Sequence, residues 1–307
     1  MIQATVVADS IAPHGIRLTT MLLTYPSIIH QDILTHRTIY KSQQASDKIA
    51  IEVDSNKSTN SNRAKPTKQI LRDVLNNPFV PTRFPKRAVS MHSSKGYHTG
   101  WRHQLARHIW LKTRYVSLLE SLALMGIGVH KQIANRPLAT WQYTTLVCTA
   151  IDVWWLHFFE LRTHHTAQDE VQQVAGLAHT AYRASTPTFL HTNEWHLPFV
   201  SPRERLLLPQ STCIALSVAR CARTSYAKSH SDMISIAGFR PIDEDIALYN
   251  RLVPQKPEHA GPKEHQAQVH PDPTHISGTL LGYDQLRHTD NADSIVTTYP
   301  PQHQEPS

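Results

Sequence analysis

Arg162 is the residue whose placement most invites chemistry. It stands in WWLHFFELRTHH, one helical turn after Phe158 and Phe159. A guanidinium keeps its proton in a protein, so burying it costs several kcal/mol unless an anion answers it. The spacing leaves open whether that anion is a protein carboxylate or a ligand. A second polar group gathers at Ser58, Asn60, Ser61, Asn62 and Arg63. These side chains suit a polar ligand, but their composition suits a solvated loop better. The chain holds 21 histidines, yet no HExxH motif, and the adjacent His164 and His165 point to different sides of a helix. No metal site is expected. Cys148, Cys213 and Cys221 form no CxxC pair and no disulfide framework, so they read as reduced thiols of the cytoplasm.

The elements that must position these groups follow from hydrophobic period and breakers. Residues 2–11 and 16–24 are β-branched runs on either side of Pro13-His14-Gly15, which predicts two strands and a turn. A helix is expected over 27–37, then a polar inserted loop over 41–63. Further helices are expected at 67–76 and 101–128. Trp154, Trp155, Phe158, Phe159, Val171, Val174, Ala175 and Ala178 recur at helical spacing, predicting one long buried helix over 151–183 with Arg162 in its middle. Residues 195–209 read as extended, 212–223 as a strand or a buried turn into a helix, and 243–252 as a helix. A last element covers 280–287, and 289–307 reads as a disordered tail. The organisation is therefore one domain over 1–288.

The chain has 307 residues, 40% of them hydrophobic, and a net charge of +7. That surplus suits anionic partners, but it is spread along the chain and lacks the Lys/Arg blocks of a nucleic-acid arm. No basic leader and no apolar run of about 18 residues is present, so a soluble cytoplasmic protein without a membrane partner is expected.

Six segments, in order, carry a resemblance. DSIAPHGIRLTTMLLTYPSIIHQDILTHR, HKQIANRPL, FFELRTHHTAQDEV, NEWHLPFV, ARCARTSY and the spaced His259/Glu264-His265 resemble the flavin-dependent thymidylate synthases in their long, phage-type form. Relative to the short bacterial form, the ARxSY and His…Glu-His segments come late, so the chain looks circularly permuted. The resemblance implies an α+β fold, with a twisted sheet from N- and C-terminal segments packed against long central helices. It also implies reductive methylation of deoxyuridylate to thymidylate by a homotetramer whose sites lie at subunit interfaces. FAD is the implied cofactor, with NADPH and methylenetetrahydrofolate as co-substrates.

Carried over residue by residue, Arg162 matches an arginine that binds deoxyuridylate and helps ionise the pyrimidine N3. Arg136 matches a second arginine on the nucleotide, with Gln132 in the same segment. Ser61 and Arg63 match the end of a Ser-x-Arg phosphate segment. Thr35, His36 and Arg37 match a flavin-contacting Arg-His-Arg motif, with Thr35 in place of its first arginine, as is common in the phage form. His157 stands where a flavin-contacting asparagine is usual. Glu264 matches a glutamate near the flavin, followed by His265. Val153, Gly261 and Lys263 depart from the family pattern, and the 41–63 insert separates Arg37 from the Ser-Asn segment. Two other readings share these residues: a related enzyme making 5-hydroxymethyl-deoxyuridylate, and a non-catalytic nucleotide- or RNA-binding descendant.

Overall fold

The structure is a computed structural model that describes residues 1–41, 50–60, 65–88, 95–226, 229–239, 241–253 and 261–289. It begins with a hairpin of β1 (Gln3–Ile11) and β2 (Arg17–Pro26). Gly15 turns the hairpin at φ +87°, a conformation in which a Cβ would be strained. A one-turn helix α1 (His30–Leu34) follows. It stops short of the expected Arg37 because Thr35 Oγ1 donates to Gln31 O at 2.8 Å and closes the turn. The polar stretch read as a loop instead holds three short strands, β3 (Thr38–Lys41), β4 (Ala50–Val53) and β5 (Asn56–Thr59). The helices α2 (Thr67–Asn76) and α3 (Gly100–Gly126) come where expected, and a short α4 (Lys131–Ala134) follows them.

The β-branched run YTTLVCTAI forms β6 (Tyr143–Ile151). The predicted single helix after it is two, α5 (Asp152–Arg162) and α6 (Asp169–Ala184). Thr163 Oγ1 bonds to Phe159 O at 2.7 Å, and the polar run to Gln168 makes the turn. Asp169 and Glu170 then stand in the first turn of α6, where the helix dipole favours them. Arg162 is thus the last residue of a helix, not its middle.

Beyond α6 come β7 (Thr188–Phe189) and β8 (Trp195–His196). The stretch expected to be extended carries α7 (Pro202–Leu207), started by a Ser201/Glu204 capping box. The 212–223 segment is helical, within α8 (Gln210–Arg223), and α9 (His230–Phe239) was not foreseen. The chain continues through α10 (Ile242–Leu252), β9 (Ala267–Val269), β10 (Ile276–Ser277), β11 (Leu280–Leu281) and β12 (Tyr283–Gln285).

The fold is α+β, as expected. Its main sheet runs β5-β6-β2-β1-β7, antiparallel except for the β1–β7 pair. The N-terminal hairpin contributes two strands, and mid-chain β6 pairs with β2 along its whole length. The C-terminal strands form a smaller sheet, β12-β9-β8, beside it. Alternation along β2 and β6 divides the main sheet into two unlike faces. Met21, Leu23, Leu146, Cys148 and Ala150 share a core with the aromatic residues of α5 and the apolar stripe of α6. Leu22 and Val147 face the other way, onto Phe199, Cys221 and Met233. Around that second patch lie threonines and histidines. No helix among the described residues is long and apolar enough to cross a membrane. The described structure does not extend to the tail expected to be disordered, beyond Thr289.

Candidate site at the aromatic helix

The two helical turns of α5 that bury Trp154, Trp155, Phe158 and Phe159 also carry His157 and Arg162. Helical side chains lean toward the N-terminus, so Arg162 reaches back over the preceding turn. His36, just after α1, inserts against that turn. Its ring centroid is 5.0 Å from Trp154, 5.1 Å from His157 and 5.2 Å from Phe158. On β5 the pleat turns Lys57 to this same face, with Nζ 5.5 Å from the Trp154 ring centroid.

The charges in this cluster are unequal. Lys57 Nζ donates to Asp54 Oδ1 at 2.9 Å and to Leu34 O at 3.2 Å, and Arg37, largely exposed, pairs with the same aspartate at 3.7 Å. Two cations therefore share one carboxylate, while no carboxylate pairs with Arg162 among the described residues. His36 is 3% exposed. Burial first, then the cations of Arg162 and Lys57 and the neighbouring His157, lower its pKa to about 4. It is neutral at pH 7, with one ring nitrogen a donor and the other an acceptor.

The feature that marks the cluster is its buried polar atoms without partners. His36 Nε2, His157 Nδ1, Trp154 Nε1 and Arg162 Nε are all inaccessible and unbonded. Buried polar groups are nearly always satisfied, so these four atoms form a local hydrogen-bonding deficit that a ligand reaches only if the side chains around them move. Cavities of 610, 690 and 430 Å³ open elsewhere on the molecule, and neither His36, His157 nor Arg162 lines any of them. What this cluster combines is a hydrogen-bonding deficit, also seen at Trp141 and Gln142, with a cation and an aromatic wall. Its chemistry suits a planar, anionic, heterocyclic ligand, met by one fixed cation, a neutral imidazole and an aromatic wall.

The structure brings together only part of the set expected from sequence. His36, His157 and Arg162 converge; Arg37 lies beside them through Asp54, and Thr35 caps α1 from the surface. Gln132 on α4 and Arg136 in the following 3₁₀ turn are exposed. Those two segments pack against α3 and each other, and no described contact joins either residue to Arg162. Ser61, Arg63 and His259 lie outside the described residues.

Glu264 receives a hydrogen bond and ion pair from Arg287. His265 lies on the opposite face of the sheet and is fully buried. Its Nδ1 meets Thr149 Oγ1 at 2.9 Å and its Nε2 meets Ser58 Oγ at 2.8 Å, so neither ring nitrogen is free for a ligand. Lys57 and Trp154 join this cluster, and sequence reading did not name either as a candidate site residue. The signal for Lys57 was the alternation of β5, which sends Ser58 to the histidine face and Lys57 to the aromatic one.

No protein-family model and no curated protein matches the chain. Solved structures do. A UMP/dUMP methylase, PolB from Streptomyces cacaoi, bound with 5-Br dUMP is similar with a TM-score of 0.41 and 20% identity. The likeness covers 54% of this chain and 66% of that one, just under two thirds of its length. The same protein bound with 5-Br UMP gives a TM-score of 0.36 at 20% identity, over 54% of this chain and 68% of that one.

Proposed function

We propose that this chain is a pyrimidine-nucleotide-modifying enzyme of the flavin-dependent thymidylate synthase type. In this reading it methylates deoxyuridylate to thymidylate, with methylenetetrahydrofolate as carbon donor and NADPH as reductant. The observation that carries the proposal is the buried, unpaired Arg162 Nε among the orphaned atoms of His36, His157 and Trp154. Six sequence segments in family order support it independently.

A uracil ring is a weak nucleophile at C5. A fixed cation beside N3 and O4 stabilises negative charge there and enriches the ring, and it does so without reorganising solvent. Arg162 is that cation in this reading: it ends α5, half-buried, with its Nε inaccessible. In this reading His36 and His157 would hold the edge of the flavin ring, with Trp154 beside them, once side-chain movement exposes their buried nitrogens. When bound, FAD supplies the reducing equivalents. Held neutral by burial, His36 can donate or accept at that ring without carrying charge into the site. Lys57 and Arg37 add positive potential for phosphate groups, with Asp54 fixing their positions. Nothing in this chemistry needs an enzyme thiol, and burial pushes the Cys148 thiol up to about 11, far from nucleophilic use at neutral pH.

Gln132 and Arg136 enter the site from a second copy of the chain in this reading. The long helix α3 supplies a surface for that assembly. Trp101, Leu105, Ile109, Val116, Leu119 and Leu122 on it are all exposed in the single chain, apolar side chains that a second copy would cover. Light scattering is expected to give a multiple of the 34.8 kDa chain mass, and Leu119→Glu to shift it to smaller species. A monodisperse monomer would remove the interface argument.

The direct test begins with deoxyuridylate binding. Arg162→Ala is expected to weaken it by roughly a hundredfold, the loss of a charge-assisted contact of a few kcal/mol, with an unchanged circular dichroism spectrum. Equal binding by variant and parent would sink the site assignment. The purified protein should show oxidised-flavin bands or acquire them with FAD. Product mass after incubation with deoxyuridylate, methylenetetrahydrofolate and NADPH then separates thymidylate from a hydroxymethylated nucleotide.

A further inference from the structure

A second constellation lies in the turn after β9, which reads His270-Pro271-Asp272-Pro273-Thr274-His275. Two prolines restrict the backbone on either side of Asp272. The Asp272 carboxylate accepts from Thr274 N at 2.8 Å and from Thr274 Oγ1 at 2.7 Å. Backbone bonds from His270 N to Gly282 O at 3.1 Å and from Gly282 N to His275 O at 2.8 Å tie the turn to the strand beside it. So held, the His270 and His275 rings stack, with centroids 3.8 Å apart and planes 20° from parallel. Asp284 on β12 faces them, its Oδ1 2.7 Å from His275 Nε2. One ligand atom from each of His270, His275 and Asp284 lies within 4.8 Å of the others.

We propose that His270, His275 and Asp284 form a binding site for a divalent transition-metal ion of the zinc class. Two imidazoles and one carboxylate are borderline ligands that favour such an ion over Mg²⁺ or Ca²⁺, which take oxygen. Bonds of about 2.0–2.2 Å to a central ion require the three atoms to draw closer than they stand. Side-chain torsions supply this, because all three residues are half-exposed while their backbones are fixed. His270 has the outer contact that metal-bound imidazoles commonly have. Its Nδ1 accepts from Asp272 N at 3.0 Å and lies 3.3 Å from Asp272 O, so binding the ion through Nε2 moves the ring proton to Nδ1 and exchanges the first contact for the second. Water fills the remaining positions.

Bound there, the ion clamps the turn to β12, and so fixes the small sheet that β12 shares with β9 and β8. This is a structural site on a different set of residues from the nucleotide cluster. The sequence signal was the HPDPTH turn; Asp284 joins it only through strand pairing.

Tag-free protein is stripped with chelator, then titrated with Zn²⁺ by calorimetry and with Co²⁺ by visible absorption. One ion per chain is expected in the tightest site, with a rise in Tm, and no competition from Mg²⁺. His275→Gln and Asp284→Asn should each weaken Zn²⁺ binding roughly tenfold or more, while His164→Gln leaves it unchanged. Asp284→Asn keeps an acceptor toward His275, so it tests ligation even where His275→Gln disturbs the turn. The proposal is overturned if a His270→Gln/His275→Gln variant binds Zn²⁺ as tightly as the parent, or if the parent shows no saturable binding. Neither result bears on deoxyuridylate binding.

Discussion

Acidification is expected to unfold this protein cooperatively between about pH 5.5 and 4, with an uptake of three to four protons. The cause is a set of four buried histidines held neutral. His196 is fully buried, with Nδ1 2.9 Å from Ser10 Oγ and Nε2 2.8 Å from Thr20 Oγ1. His265 continues the same chain, because Thr20 Oγ1 meets Thr149 Oγ1 at 2.7 Å and Thr149 meets His265. His230, on α9, bonds Thr5 at 2.9 Å and Thr24 at 3.0 Å. Each ring thus sits between two hydroxyls, which satisfy a neutral imidazole but offer no negative charge to an imidazolium. Burial lowers His196 and His265 to about 3 and His230 to about 4; His36 at the candidate site is also near 4.

In the unfolded chain each of these histidines titrates near 6.5. Between that value and the folded one, the unfolded state binds more protons than the native state, so stability falls as pH falls. Above about pH 6.5 the full stability is present. At full slope each group contributes about 1.4 kcal/mol per pH unit, and four together roughly 5 kcal/mol per unit. A domain of ordinary stability, about 5–15 kcal/mol, is exhausted within one to three units. Urea unfolding followed from pH 8 to 4.5 measures this directly. His230→Gln, which keeps a donor and an acceptor, should reduce the slope by about one proton. Stability that is flat down to pH 4.5 would show that these rings are accessible or protonated in the native state.

This network illustrates what a sequence hides. The β-branched runs and the turn at Gly15 made β1 and β2 legible, and local period alone located α2, α3 and α10. Histidine partners were not legible, because Ser10 and His196 are 186 residues apart and Thr24 and His230 are 206 apart. Nor was the break between α5 and α6, since the apolar stripe resumes in phase after Thr163-His164-His165-Thr166. The apolar positions of α3 predicted a helix, and within one chain most of them face outward. Period reports that a face is apolar, not what covers it. At the candidate site, Arg162 and His36 could be named in advance, but their contact depends on α1 meeting α5. Lys57 was missed because a polar composition masked a strand.

The largest single-residue effect on stability is expected at Asp245. Arg220 on α8 is fully buried, and each of its three nitrogens is directed: Nε to Asp245 Oδ2 at 2.8 Å, and the two terminal nitrogens to Glu204 at 2.6 and 2.9 Å. The same nitrogen that makes the longer Glu204 bond also reaches Phe199 O at 2.7 Å. Asp245, itself inaccessible, accepts from Arg223 Nε at 2.7 Å with its other oxygen. Two segments distant in the chain, NEWHLPFV and ARCARTSY, are thereby joined through one guanidinium. Phe199 needs that support. It sits at φ +60°, a left-handed conformation costing an aromatic residue about 1–2 kcal/mol. The cost is offset by the Arg220 bond to its carbonyl and by burial of its ring against Leu22, Val147, Cys221 and Met233.

Asp245→Ala leaves Arg220 buried with half its countercharge, and a loss of about 3–5 kcal/mol is expected by urea unfolding. Arg223→Ala, at a partly exposed partner, should cost about 1 kcal/mol or less. Replacing the charges together, Arg220→Met with Asp245→Leu and Glu204→Gln, should recover much of the loss, because no carboxylate is then left facing a missing guanidinium. That recovery separates an electrostatic cause from a packing one. If this triple variant is less stable than Asp245→Ala, the guanidinium is acting chiefly as a strut for Phe199, and the left-handed turn rather than the ion pair governs this side of the sheet.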